Sequence, residues 1–194
     1  MPSDTIPALA YCGRAPVLAE EIVRGLAARK KMIAAAESCT AGLASDFITR
    51  VPGASNVFWG SFVSYTPDAK ARMLGLPGEL IERHGEVSRP VALAMAEGAL
   101  EKSGASWAFS ITGFAGPGGG SAAAPVGTIW IGIAGWEGKP LEGKLSDGKP
   151  LDGKPLGSVW ADAKMFLFAG GRNEVREAAA AAALQELLER INRT

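Results

Sequence analysis

The chain has 194 residues, with 20 Lys+Arg balanced by 20 Asp+Glu, 47% hydrophobic residues, 25 Gly and 12 Pro. This composition fits one globular domain with a sizeable core, and a formal net charge of zero lacks the basic footprint of a nucleic-acid binder. Two Cys (Cys12, Cys39) and one His (His84), with no CxxC pair and no HExxH run, give no reason to expect a zinc site. No run approaches the roughly 18 apolar residues of a membrane span, so no membrane partner is expected. The N-terminus lacks a basic segment followed by an apolar core, and the expectation is a cytoplasmic chain with reduced thiols.

Residues 1–15 carry turn formers and little periodicity, and read as a loose arm ahead of a domain spanning 16–194. From Pro16, the residues Leu18, Ile22, Val23 and Leu26 share one face and predict a helix to about Lys30. An apolar run over 32–36 ends in Glu37-Ser38-Cys39-Thr40, and Leu43, Phe47, Ile48 and Val51 predict a second helix that stops before Pro52-Gly53. A strand rich in aromatic and β-branched residues follows over 58–65, then short helices from Pro67 to about Leu74 and from Pro77 to near His84. Ser88 is the expected N-cap, with Pro90 early in a helix that runs to about Lys102. Strands are expected over 107–112, 126–134 and 161–168, the last two as hairpin partners, and a final helix from near Asn173 to about Ile191. Such alternation predicts an α/β domain with helices on both sides of a mixed sheet. Residues 138–157 read GKPLE, GKLSD, GKPLD, GKPLG, a repeat of period five expected to form a low-complexity insertion projecting into solvent.

Four segments carry candidate chemistry. Ser38 sits where a strand meets a helix, so its hydroxyl lies beside unpaired N–H groups that can receive an oxyanion or phosphate; equally, Ser38 or Thr40 reads as a plain helix cap. Cys39 shows no base nearby and reads as a small buried apolar residue, and His84, in ERHGE, as a solvated loop imidazole. Tyr65 and Lys70 end a strand and begin a helix. A serine nucleophile without His needs another base, and a partly buried Lys can serve, although the same pair also reads as a packing residue and a solvated one. The glycine-rich loop from Thr112 through Gly113, Gly116, Gly118 and Gly119 has the freedom to form an anion nest or merely a turn; no Lys-Ser/Thr follows, so it is not a P-loop. Arg172 and Arg176 open the last helix, where the dipole does not favour cations, which suggests a bound anion or carboxylate unless they are simply solvated.

Taken in order, AESCTAGL, VPGAS, FVSYTPDAKARMLG, GEVS, ITGFAGPGGG, PVGTIWIGIAG and GGRNEVR resemble the CinA C-terminal domain family, including its stand-alone nicotinamide-nucleotide amidohydrolases, over 16–194 apart from the insertion. The resemblance implies a single-domain, three-layer α/β/α sandwich and a homo-oligomer, dimer or higher, that needs no metal or cofactor. It implies hydrolysis of the carboxamide of nicotinamide mononucleotide to nicotinate mononucleotide and ammonia. Carried onto this sequence, Ser38 is the nucleophile, Lys70 the base and Tyr65 its assistant. Thr40, Thr112, Gly113, Gly116, Gly118 and Gly119 line the substrate, and Arg172 contacts its phosphate. Three positions depart from the family's usual pattern: Ala41 and Pro67 stand where Gly and Asn are common, and Gly171 replaces an Asp. The rival readings are a catalytically weak nucleotide-binding module of the same fold and an amidase or esterase with another small substrate.

Overall fold

Strand β2 (Ile33–Glu37) is buried along its whole length, and the alternation of its side chains divides the interior in two. Ile33 and Ala35 enter a core beneath α1 (Ala15–Arg29), α2 (Leu43–Thr49) and α6 (Arg172–Arg193). Ala34 and Ala36 enter a second core beneath α3 (Pro67–Leu74), α4 (Gly78–His84) and α5 (Arg89–Ser103). The computed structural model describes residues 5–137, 145–146, 149–150 and 158–193. The layers are helix, sheet, helix, as the alternating pattern predicts.

The sheet contains β1 (Ile6–Pro7), β2, β3 (Phe58–Val63), β4 (Trp107–Gly113), β5 (Thr128–Glu137) and β8 (Ser158–Ala169), in the order β1-β8-β5-β4-β2-β3. Strand β2 is parallel to β3 and β4, β1 is parallel to β8, and β4–β5 and β5–β8 are antiparallel, so the sheet is mixed. Two-residue strands β6 (Leu145–Ser146) and β7 (Lys149–Pro150) pair with each other. The β5–β8 hairpin runs in register from Thr128↔Leu167 to Glu137↔Ser158, which leaves 138–157 as its connection. Apart from β6 and β7, the expected insertion lies outside the described residues.

Residue size sets the two layer spacings. On the α5 side the sheet presents Ala34, Ala36, Ala108, Gly132 and Ala134, and a Cβ on Gly132 would stand 2.5 Å from the Ala92 carbonyl oxygen. The buried Ser110 hydroxyl donates to that same carbonyl at 2.6 Å and accepts from the Gly132 N–H, so α5 lies close against the strands with its polar contact satisfied. The opposite face is bulky, with Phe109, Ile111, Ile129, Ile131 and Ile133. It takes the alanine run Ala178–Ala183 of α6, every residue of it fully buried.

One expectation needs correction. Residues 5–15 do not hang loose: Ile6 and Pro7 pair with Phe168 and Ala169, Ala8 is wholly buried, and the Tyr11 ring stands edge-on to Phe166 and Phe168. These apolar groups cover the end of β8 beside α6. Their irregular spacing carries no helical or strand period, which is why pattern alone misses them. His84 closes α4 as an exposed residue, and among the described residues no helix is long and apolar enough to cross a membrane.

Candidate active site

The strand that follows β2 pairs on one side of it and β4 on the other, which makes the carboxyl ends of β2 and β4 a topological switch point. Ser38 follows directly on β2, its N–H donating to the Ile111 carbonyl at 2.9 Å, so the register of the sheet carries it to the mouth of a cleft. The turn Ser38–Gly42 then enters α2. Glu37, fully buried, shapes that turn: its carboxylate accepts from the N–H groups of Gly42, Ala44 and Ser45 at 3.0, 3.2 and 2.9 Å, and from the Ser45 hydroxyl. The amino end of α2 is thereby filled by Glu37, not by Ser38 or Thr40 as a cap, and its donors are not turned to a ligand. Of the turn's own amides, Ala41 donates to the Ser38 carbonyl at 3.0 Å, while those of Cys39 and Thr40 have no acceptor among the described residues.

Arg176 of α6 clamps the same turn. Its Nε and Nη2 donate to the carbonyls of Cys39 and Thr40 at 3.1 and 2.9 Å, a two-pronged contact that fixes two successive peptide planes. Ala41 takes φ 52°, the left-handed region, followed by Gly42 at φ 92°. Ala41 therefore carries a conformational cost that a glycine there would not. Burial pushes the Cys39 thiol up to about 12, so it stays neutral near pH 7 and is no nucleophile there.

Helix α3 supplies the partner of Ser38. Thr66 caps it by accepting from the Ala69 N–H at 3.1 Å, Pro67 opens it, and one turn later Lys70 points inward. Lys70 is 0% exposed, and its Nζ donates to Ser38 Oγ at 3.1 Å and to Glu86 Oε2 at 3.1 Å. Glu86 occupies the short link between Gly85, which ends α4 in the left-handed region, and Ser88, the N-cap of α5. Its backbone carbonyl accepts from the buried Thr112 hydroxyl at 2.8 Å, so β4 anchors the link. The result is a hydrogen-bonded chain, Ser38–Lys70–Glu86, with the amine sealed and Ser38 and Glu86 lining the cleft.

The other expected residues separate into two groups. Tyr65, Thr112, Gly113, Gly116, Gly118 and Arg172 line the cleft with Ser38. Tyr65 is bonded to Arg172, whose Nη2 donates to the phenol oxygen at 3.1 Å, and not to Lys70; Arg172 also donates through Nη1 to the Gly116 carbonyl. Gly116, at φ 83°, leaves no room for a side chain, since a Cβ would stand 2.7 Å from Val126. Thr40 and Gly119 do not line the cleft: Thr40 is fully buried with Oγ1 lacking a partner among the described residues, and Gly119 lies under the Phe114 ring. The roles of Glu37 and Glu86 are what sequence reasoning missed. Arg176, expected to meet an anion or carboxylate unless solvated, instead donates to two backbone carbonyls. Among the described residues no group of three or more His, Cys, Asp or Glu side chains is placed to hold a metal ion.

Comparison with known proteins gives this geometry a family. Residues 16–150 match the model of the CinA C-terminal domain. The chain is 50% identical over 121 residues to a CinA-like protein of Anaeromyxobacter sp. (strain K), a match over 62% of this chain and 30% of that protein. It therefore spans about a third of the length of such relatives. It is 39% identical to the nicotinamide-nucleotide amidohydrolase PncC of Shigella flexneri over 90% of this chain and 93% of that one. Among solved structures, the competence/damage inducible protein CihA from Agrobacterium tumefaciens superposes with a TM-score of 0.75 at 36% identity, covering 97% of this chain and 99% of that one. The chain belongs to the CinA C-terminal domain family.

Proposed function

We propose that the chain hydrolyses the carboxamide of nicotinamide mononucleotide to nicotinate mononucleotide and ammonia, without a metal, through a Ser38 ester. The observation that carries this reading is the 3.1 Å contact between Ser38 Oγ and the wholly buried amine of Lys70, at the mouth of a cleft. An amide needs an activated nucleophile, donors for the developing oxyanion and a proton for the leaving amine. In the first half-reaction an uncharged Lys70 accepts the Ser38 proton as Oγ bonds to the carboxamide carbon. The C–N bond then breaks, and Lys70 returns the proton to departing ammonia. In the second, water attacks the nicotinoyl ester, Lys70 accepts a water proton, and the Ser38–acyl bond breaks as that proton returns to Oγ. The unclaimed N–H groups of Cys39 and Thr40, beside the nucleophile, are the donors available to the oxyanion. Arg172, with guanidinium N–H groups beyond those bound to Tyr65 and Gly116, is the contact for the phosphate, and Tyr65 orients it.

The resemblance to the amidohydrolase of Shigella flexneri over nearly the whole of both chains supports the substrate. The test is to incubate chelator-treated protein with nicotinamide mononucleotide and follow ammonia and nicotinate mononucleotide together. Equal release of both is expected. Binding without release would favour the second reading, a catalytically weak nucleotide-binding module, for which the left-handed Ala41 in the nucleophile's own turn is the specific observation.

A further inference from the structure

Two formal charges line the cleft among the described residues, and they are opposite: Glu86 on the Lys70 side and Arg172 on the Tyr65 side. We propose that Glu86 is a specificity residue, whose carboxylate recognises a positively charged ring attached to the scissile amide while Arg172 receives an anionic tail. The inference rests on the amidohydrolase reading and narrows its substrate class to zwitterions of that polarity.

The geometry supports it in three steps. Glu86 Oε2 lies within about 6 Å of Ser38 Oγ by way of Lys70 Nζ, so the carboxylate borders the place where the scissile carbon must sit. In a nicotinamide the ring nitrogen is separated from the carboxamide carbon by only two ring carbons. A substrate seated for attack by Ser38 therefore brings its cationic ring to the same end of the cleft as Glu86.

Second, the Glu86 side chain is 43% exposed whereas Lys70 is fully sealed, so Glu86 is the member of the array that a ligand can touch from the cleft. Third, the proposed chemistry requires Lys70 to be uncharged when it takes the Ser38 proton. At that moment Glu86 holds an anionic charge with no counter-ion from Lys70, and a cationic ring supplies one. The other charged groups near this turn are already committed: Glu37 to the amides of α2, and Arg176 to the carbonyls of Cys39 and Thr40. The Cys39 thiol is held neutral by burial.

The test compares two ligands that differ in ring charge. Oxidised nicotinamide mononucleotide carries the cationic ring; its dihydro form carries a neutral ring with the same amide, ribose and phosphate. Dissociation constants are measured by calorimetry on the full chain bearing Ser38→Ala, which prevents turnover, with and without Glu86→Gln. The expected result is a preference of about tenfold for the oxidised ligand that falls towards one in the Gln variant, with affinity for the dihydro form unchanged. Glu86→Asp, which keeps the charge, should keep most of the preference, and serves if the Gln variant folds poorly. An unchanged preference, or an equal loss for both ligands, overturns the proposal and leaves Glu86 as a support for Lys70. Ammonia release by the unsubstituted chain is measured alongside. Turnover with an unchanged preference removes this inference alone, whereas no turnover and no binding of either form removes the amidohydrolase reading with it.

Discussion

Two of the molecule's clefts lie at opposite ends of its sheet, and it is to the smaller that we assign the proposed chemistry. The larger, about 760 Å³, lies beyond the amino end of β4 and is lined by Leu26, Arg29, Lys31, Trp107, Trp136 and Trp160 among others. Its aromatic groups hold one another: Trp107 and Trp160 meet edge to face at 6.3 Å, and Trp136 Nε1 donates to the Ala105 carbonyl at 2.9 Å. Its one lining hydroxyl, Ser106, has no lysine or carboxylate bonded to it among the described residues. The cleft at Ser38 measures about 180 Å³, room for a ring and its amide rather than for a whole nucleotide, and Tyr65 and Arg172 are exposed members of its lining. The difference is one of strand direction. Parallel β2 and β4 both deliver their carboxyl ends to the small cleft, where loops of several elements converge. Our assignment follows the convergent polar groups and not the volume.

Substitutions at the two ends would break that comparison or sharpen it. Ser38→Ala should lower the turnover of nicotinamide mononucleotide by about 10⁴-fold or more, with ligand still bound, as expected when a nucleophile is removed. Lys31→Ala, in the large cleft, should leave kcat/KM within about twofold. Steady-state rates of ammonia release check both, and a large loss at Lys31 would shift the site to the other end of the sheet. Next in size is Lys70→Met, which fills the same buried space without an amine. It should cost about 10³-fold in kcat while the melting temperature holds or rises, because a buried polar amine has been exchanged for an apolar chain. Retained activity would mean that Ser38 finds its base elsewhere.

Arg172→Ala tests the mouth of the cleft rather than its floor. Loss of a charge-assisted contact to phosphate should raise KM about 10- to 100-fold, with kcat changed far less. Arg172→Lys keeps the charge but cannot reach Gly116 and Tyr65 as a fork, so it should recover only part of the loss. A fall in kcat with KM unchanged would place Arg172 in the chemical step and remove it from phosphate recognition.

Local signals made most of the fold readable. Proline at the first turn of α3 and α5, Ser88 as a cap and the heptad-like spacing in α1 fix their elements within one or two residues. What escaped is what depends on packing. Ile6 and Tyr11 have no period, and only the exposed end of β8 explains their order. The site divides in the same way. Ser38 and Lys70 were legible because a serine at a strand end needs a base and the family resemblance pairs them; the structure brings them to 3.1 Å. Glu86 was not legible, because sixteen residues and a whole helix separate it from Lys70 and only the turn at Gly85 folds them together. Tyr65 lines the same cleft as Ser38, but its hydroxyl is bonded to Arg172 and not to Lys70, since nothing in its spacing reveals that α6 returns Arg172 to it.

The smallest expected effect concerns the turn itself. Ala41 holds φ 52° with its N–H donating to the Ser38 carbonyl, so relaxing it would move Ser38. A non-glycine residue in the left-handed region costs about 1–2 kcal/mol, and glycine removes that cost while adding about 0.4–1 kcal/mol of unfolded-state entropy to be lost on folding. Ala41→Gly should therefore stabilise the chain by up to about 1 kcal/mol, a rise in melting temperature of about 2–4 °C for a domain of this size. Its effect on kcat should be small, because Glu37 and Arg176 hold the turn from both sides whichever residue occupies the position. A marked gain in kcat would show that those two clamps do not suffice and that Ala41 strain reaches Ser38. A loss of stability would show that the turn is not held in the left-handed region at all, which would also undo the placement of the Cys39 and Thr40 amides beside Ser38.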